Sequence, residues 1–233
     1  MQAERFHVGL TPERVIDAAL DLTRSSHLFS WSIRDLAGAL GVKQSAIYHH
    51  VGGKDLLCRG VVERVLERVA IPSETLAWES WFRELLTQFG PLTGEFPGVA
   101  KWTLMHGPTI PVMIPIVEGG IRRLRAGGFG EQSGIAYSFL LNTAVTTLAM
   151  RDERSVEQGD GPRDHESMMA EFRAVADDSP EARELGDGFM ARFAETGGAE
   201  AAFAHYYDYA VEAAISGVSS LRPADQGTAE SRV

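Results

Sequence analysis

Apolar residues recur every three to four positions through most of the chain, the spacing of a single buried helix face. Thr11 offers a capping hydroxyl and Pro12 suits a first helical position. A first helix is therefore predicted from there to about Ser25, on Val15, Ile16, Ala19, Leu20 and Leu22. Leu36, Ala37 and Leu40 make a second, short apolar face behind Ser32, whose hydroxyl can cap it. Gly41 stops that helix, because glycine tolerates the left-handed backbone of a sharp turn. Val42 plugs the turn into the core, and Ala46, Ile47 and Val51 give a third helix one buried side. Phe29 and Trp31 are expected as packing anchors beneath this pair. A fourth helix follows from about Lys54 to Val69, on the stripe Leu57, Val61, Val65 and Val69, and Pro72 ends it.

The remainder also has helical periodicity. Trp78, Trp81, Phe82, Leu85, Leu86 and Phe89 predict a fifth helix. Pro91, Pro97, Pro108, Pro111 and Pro115 should break the next stretch into short helices at about 95–105 and 110–126, the latter closed by Gly127-Gly128. A long helix is predicted at about 132–158, and its apolar and small-residue run from Ile135 to Met150 implies burial on most sides. Residues 159–164 read as a loop and 165–180 as polar and mobile, with two more helices at about 180–196 and 199–219. Residues 1–9 and 221–233 read as a loose arm and a disordered tail. No strand or internal repeat stands out. The expected fold is all-α: a helix-turn-helix head of three helices and their support over 1–69, and a helical body over 70–220.

Charge sharpens this division. The chain carries −10 overall, but residues 1–69 carry +1 and residues 70–233 carry −11. No Asp or Glu occurs between Asp35 and Asp55. Phosphates repel carboxylates and reward Lys, Arg, hydroxyl and imidazole donors. The third helix turns Lys43, Gln44, Ser45, Tyr48, His49 and His50 away from its apolar side. A tight helix pair with an acid-free second member is a groove-reading pattern. The acidic body should be repelled by DNA, which confines contact to the head. No apolar run has membrane-spanning length and the first 30 residues lack a signal-peptide core, so a cytoplasmic location is expected. The single cysteine, Cys58, excludes an internal disulfide and is expected as a buried structural thiol.

Five stretches carry a family resemblance: Leu10–Leu22, Ser32–Ala37, Leu40–Val42, Ile47–Val51 and Lys54–Leu57. In sequence and spacing they resemble the N-terminal domain of the TetR family of bacterial repressors. Beyond about residue 70, Trp78–Glu84, Gly127–Phe129 and the late helical pattern look like the ligand domain of its tetracycline-repressor branch. The resemblance implies DNA contacts from Ser32, Arg34, Lys43, Gln44, Ser45, Tyr48, His49, His50 and Lys54. Arg34 can reach a guanine edge or a phosphate, and Gln44 can pair with adenine. Tyr48 and His50 look like phosphate clamps. Lys54, at the start of the fourth helix, is expected to face a phosphate beside the helix N-terminus. Lys43 and Ser45 depart from the branch, which has an acid and a proline there, and His49 replaces a more usual Trp or Phe. The operator sequence is therefore not transferable.

The resemblance also implies a homodimer with a small-molecule pocket in the body. Candidate lining residues are Phe82, Phe89, Trp102, Thr103, Met105, His106, Met113, Val117, Phe139, Asn142 and Thr146, a set suited to an apolar molecule held by one or two hydrogen bonds. Thr103 matches roughly where tetracycline repressors place a metal-binding histidine, which argues against a magnesium–tetracycline complex. No cofactor or metal is expected: His106 stands alone, His49 and His50 diverge on a helix, and His205 with Asp208 reads as a solvated or interface pair. Small residues of the two late long helices (Ala144, Ala149, Ala202, Ala210, Ala213, Ala214), with Tyr206, Tyr209 and Val211, are expected to build the dimer contact. The leading function is a ligand-responsive repressor released from a palindromic operator. A ligand-independent architectural protein is the alternative. An enzyme lacks support, with no Gly-x-Ser-x-Gly, P-loop, dinucleotide fingerprint or zinc spacing, and Asp164-His165-Glu166 reads as solvated charge.

Overall fold

A computed structural model describes residues 9–155, 165–176, 178–194 and 198–223. The expected arm, the 159–164 loop and the tail fall largely outside them, and the Asp164-His165-Glu166 side chains wholly outside. Among the described residues every regular element is helical. The head holds α1 (Pro12–Ser25), α2 (Ile33–Leu40), α3 (Gln44–Val51) and α4 (Lys54–Leu66). The body holds α5 (Trp78–Glu95), α6 (Val99–His106), α7 (Ile114–Ala126), α8 (Ser133–Ser155), α9 (His165–Ala176), α10 (Pro180–Leu185), α11 (Ala191–Ala194) and α12 (Gly198–Ser220). A π-helical turn, Gly186–Met190, links α10 to α11.

Local chemistry sets the head. Thr11 accepts the Arg14 N–H and caps α1, with Pro12 at its first position. Thr23 donates to the Ala19 carbonyl at 2.8 Å and accepts the Trp31 indole N–H at 3.0 Å, which fixes Trp31 under α1. Trp31 is the buried anchor expected of it. Phe29 is not: it is exposed, with the Lys101 ammonium 5.7 Å from its ring. Cys58 is buried, and burial pushes its thiol pKa up.

The body departs from expectation in three places. Helix α5 runs through Pro91 instead of stopping there. Pro91 is exposed and forfeits one backbone bond, while buried Phe89, Leu92 and Thr93 hold the same segment to the core. Helix α8 is not buried on most sides: Ile135, Phe139, Asn142, Thr146 and Met150 fall on one helical stripe and are exposed. Residues 165–176 form a helix, with Met169 and Ala176 buried and Phe172 against the π-helical turn at Gly186. Seven of the twelve residues of that helix are apolar, so its sequence is less polar than expected of it.

Head and body share one continuous apolar core. The turn between α5 and α6 wedges into the head. Phe96 is fully buried, with the Arg24 and Arg68 guanidinium groups 5.0 and 5.2 Å from its ring. Glu95 accepts from both arginines, at 3.1 and 2.7 Å. The Leu28 N–H, from the α1–α2 loop, donates to the Pro97 carbonyl at 2.9 Å. The boundary expected after Val69 lies in the non-helical stretch between α4 and α5.

Candidate functional site

The outer face of the head is built by α2 and α3. Ser32 accepts the Asp35 N–H at 3.2 Å, while Asp35 accepts the Ser32 N–H at 2.8 Å and its hydroxyl at 2.6 Å. This reciprocal cap holds the Asp35 carboxyl below its usual range and ties the Ser32 hydroxyl to the helix start. Gly41 closes α2 at φ 65°, where a side chain would be strained, and the Val42 N–H returns to the Ala37 carbonyl. Fully buried Ile47 pins α3 to the core. With Ile47 inward, helical geometry leaves Gln44, Ser45, Tyr48 and His49 exposed, with Lys43 just before the helix. Arg34 is exposed on α2, and His50 is half-buried beside His49. No side chain caps α3, so its first N–H groups stay unclaimed by a cap.

Lys54 is the exception among the expected phosphate contacts. Its ammonium donates to the Leu28 carbonyl at 3.0 Å and the Trp31 carbonyl at 2.7 Å, and lies over the Trp31 indole. Burial pulls its pKa down to about 8, while the two carbonyls and the indole face favour the charged form. Where a phosphate clamp is expected, Lys54 here faces inward and braces the α1–α2 loop against α4. The nearest carbonyls of its own helix are committed to the helix, so the strand of loop above it offers the free acceptors.

The body holds a partly open cavity of about 140 Å³. From the expected set, Phe89, Thr103, Met113 and Asn142 line it. The others lie outside its wall. Phe82 packs edge-on against Trp78, Trp81 and Tyr137 in the core. Trp102 is buried and stacks on His106 at 4.0 Å, whose Nδ1 is 2.9 Å from the Trp102 carbonyl. Val117 is half-buried on α7. Met105, Phe139 and Thr146 are exposed and do not line the cavity. Wall residues not anticipated include Val99 and Ala100 on α6, and Leu141, Val145 and Leu148 on α8. They share helical faces with Thr103 and Asn142, a signal available in the sequence. Leu66, from the end of α4, also lines the cavity, so a helix of the head forms part of its wall.

A buried polar joint sits beside the cavity. The Asp152 carboxylate, on α8, accepts the Gly98 N–H at 2.9 Å and the Arg151 guanidinium at 3.0 Å. Burial raises its pKa, against the lowering effect of those two donors. Arg151 also donates to the Gly90 carbonyl and the Thr93 hydroxyl. Gly98 has φ +91°, and an added Cβ would meet His27 at 2.6 Å. His27 itself is buried; its Nδ1 accepts the Phe29 N–H at 3.2 Å and its Nε2 stands 4.0 Å from Glu153.

The small residues expected in a dimer contact are largely used inside the chain. Ala144, Ala149, Ala202, Val211 and Ala214 are buried where α8 and α12 pack, while Tyr206, Tyr209 and Ala213 are exposed on α12. His205 and Asp208 are exposed, and among the described residues no group of three side chains is placed to hold a metal ion. No described helix is long and apolar enough to cross a membrane.

No family model matches the chain. It is 27% identical over 159 residues to the class D tetracycline repressor protein of Escherichia coli, covering 66% of this chain and 72% of the repressor. A possible TetR family transcriptional regulator from Streptomyces coelicolor A3(2) superposes with a TM-score of 0.73 at 21% identity, covering 91% of this chain and all of that one. The Streptomyces coelicolor TetR family protein ActR, solved in complex with actinorhodin, gives a TM-score of 0.71 at 19% identity, covering 92% of this chain and 98% of ActR. The fold is that of these TetR family regulators across nearly the whole length, and the chain is similar in sequence to the tetracycline repressors over about two thirds of it.

Proposed function

We propose that the protein is a ligand-responsive repressor whose dimer grips a palindromic operator through two heads, and whose grip is lost when a small, largely apolar molecule fills the body cavity. The observation that carries this is Leu66. It belongs to the helix that supports the helix-turn-helix, and it also lines the cavity. Residues 1–69 act as the DNA-binding part and 70–220 as the ligand and dimer part, working in the cytoplasm. Arg34, Lys43, Gln44, Ser45, Tyr48 and His49 contact DNA, Gln44 reading a base and Tyr48 a phosphate. One such module binds too weakly for specificity, so two half-sites and two heads are needed. A second copy covers the exposed stripe of α8, from Ile135 to Met150, and the exposed tyrosines of α12. The ligand must bind the released state more tightly than the DNA-bound state, since otherwise it shifts nothing.

The test is fluorescence-anisotropy binding to DNA flanking the protein's own gene, titrated with salt, with a Gln44→Ala/Tyr48→Ala variant as control. Salt-sensitive binding to one near-palindromic fragment, lost in the variant, is expected. No preference over random DNA at any salt concentration refutes the operator role of this face.

A further inference from the structure

We infer that the cavity selects an uncharged, ring-sized molecule carrying one hydrogen-bonding oxygen or nitrogen, and that Thr103 is the residue that reads that atom. The inference rests on the effector role proposed for the cavity and deepens it to a chemical class.

Charge is the first selector. Among the described residues the wall contains no Asp, Glu, Lys, Arg or His. Among the described residues its one titratable side chain is the Tyr137 phenol, which burial pushes well above its ordinary pKa and so keeps neutral. An ion entering such a wall would lose its water without gaining a counter-charge. Size is the second. Apolar protein cavities of about 150 Å³ take up benzene, so a cavity of about 140 Å³ accommodates one ring with a short substituent.

Polar selection then falls to few atoms. The Thr93 hydroxyl already donates to the Phe89 carbonyl at 2.8 Å and accepts from Arg151 at 3.0 Å. The Ser138 hydroxyl donates to the Gly134 carbonyl at 2.9 Å. Thr103 differs: its hydroxyl oxygen is buried and has no hydrogen-bond partner. Among the described residues it is the wall's only buried side-chain polar atom in that state. Buried hydroxyls are almost always paired, so an open one in a ligand-sized cavity is a place for a ligand's polar atom. It sits on α6, which starts at the joint with the head and ends at Gly107 in the cavity wall. A molecule held there lies within the same wall as Leu66 of α4.

The experiment uses the full chain and three probes of one shape: p-cresol, p-xylene and p-toluate, titrated by calorimetry at neutral pH without DNA. p-Cresol is expected to bind, and p-toluate to bind at least about 100-fold more weakly. Thr103→Val should weaken p-cresol by roughly three- to tenfold and leave p-xylene unchanged, with Thr103→Ser restoring p-cresol. Equal binding of p-toluate and p-cresol overturns the charge selection. Equal losses for p-cresol and p-xylene in Thr103→Val overturn the role of Thr103. Absence of binding by both neutral probes overturns the inference as a whole. DNA release is measured separately: a protein that binds p-cresol in this pattern yet keeps its grip on DNA supports the ligand class and refutes the effector role.

Discussion

Replacing Asp152 tests the joint between α6, α8 and the head. The carboxylate is 1% exposed and accepts from the Gly98 backbone and from Arg151, whose own side chain is 13% exposed. Asp152→Ala leaves the Gly98 N–H without its acceptor, at a cost of about 1–3 kcal/mol. It also leaves the Arg151 charge half-enclosed, and removing one partner of a buried pair typically costs about 3–5 kcal/mol. Arg151 keeps its bonds to Gly90 and Thr93, so the two costs do not simply add. A total of about 3–5 kcal/mol lowers Tm by roughly 6–20 °C in a chain of this size. Asp152→Asn should behave differently. Burial raises the Asp152 pKa despite its donors, so the charge itself is not favoured at this site. Asparagine keeps an acceptor for Gly98 but, like alanine, leaves Arg151 without its counter-charge, so it should be milder than alanine by about the 1–3 kcal/mol of the Gly98 bond. Thermal unfolding at neutral pH, followed by far-ultraviolet dichroism and tryptophan fluorescence, separates the cases. A Tm change under 2 °C for Asp152→Ala would refute the role of the joint. Equal damage from both variants would show that ion pairing, not acceptance from Gly98, holds it.

Two further outcomes follow from the head. Lys54→Met leaves the Trp31 carbonyl without its donor, at about 1–3 kcal/mol, and the Leu28 carbonyl with only the weak Cys58 thiol, partly offset by relief of the buried ammonium. Tm should fall while the salt slope of DNA binding stays unchanged; a slope reduced by about one unit would return Lys54 to the phosphate contacts. His27 supplies the pH test. Burial lowers its pKa below the ordinary 6.5; Glu153 opposes this, and Lys101 and Lys54 reinforce it. The unfolded chain then takes up the proton first as pH falls, so this contribution is fully present above 6.5 and is lost toward the folded pKa. Its protonation would also set a new Nδ1–H against the Phe29 N–H. His27→Gln should flatten the fall in stability between about pH 7 and 5. Melting curves over that range that keep the wild-type slope would exclude His27 as the sensor.

The head was legible because its signals are local. A capping serine, a glycine at the C-cap and an apolar residue every third or fourth position need no tertiary information. Hence Ser32, Gly41 and Ile47 stand where these signals put them, while the return bond from Asp35 was not read from the sequence. Lys54 failed that logic because its partners lie 23 and 26 residues upstream, in a loop whose path depends on how α1 meets α4. The cavity was legible only in part. Aromatic residues advertise burial without saying whether they face a void or one another. Phe82 and Trp102 found ring partners, and the wall went to Val99, Ala100, Leu141 and Val145. The outward stripe of α8 was hidden because Ile135, Phe139 and Met150 have the composition of a core while a single chain leaves them exposed.

These departures bear on how the head could be governed. Residue 98 is the cap of α6, and its N–H is held by Asp152 while the preceding carbonyl, Pro97, holds Leu28. The cavity wall begins at the first residue of that helix, with Val99, Ala100 and Thr103 in it. A displacement of α6 by a bound ligand therefore cannot leave the α1–α2 loop alone, because two successive residues of one turn connect them. Leu66 gives the same ligand a second hold, through apolar contact with α4. The two routes differ in direction. One acts on the loop that Lys54 braces from below, and the other on the far end of the helix that Lys54 begins. Lys54 ties those two parts together, so a ligand working through either route must move loop and helix as one body or break the ammonium's bonds to Leu28 and Trp31. Rigid motion of the head is the cheaper outcome, since it keeps those bonds and the reciprocal cap at Ser32 intact. The face of α3 proposed to read DNA would then be re-aimed rather than unfolded.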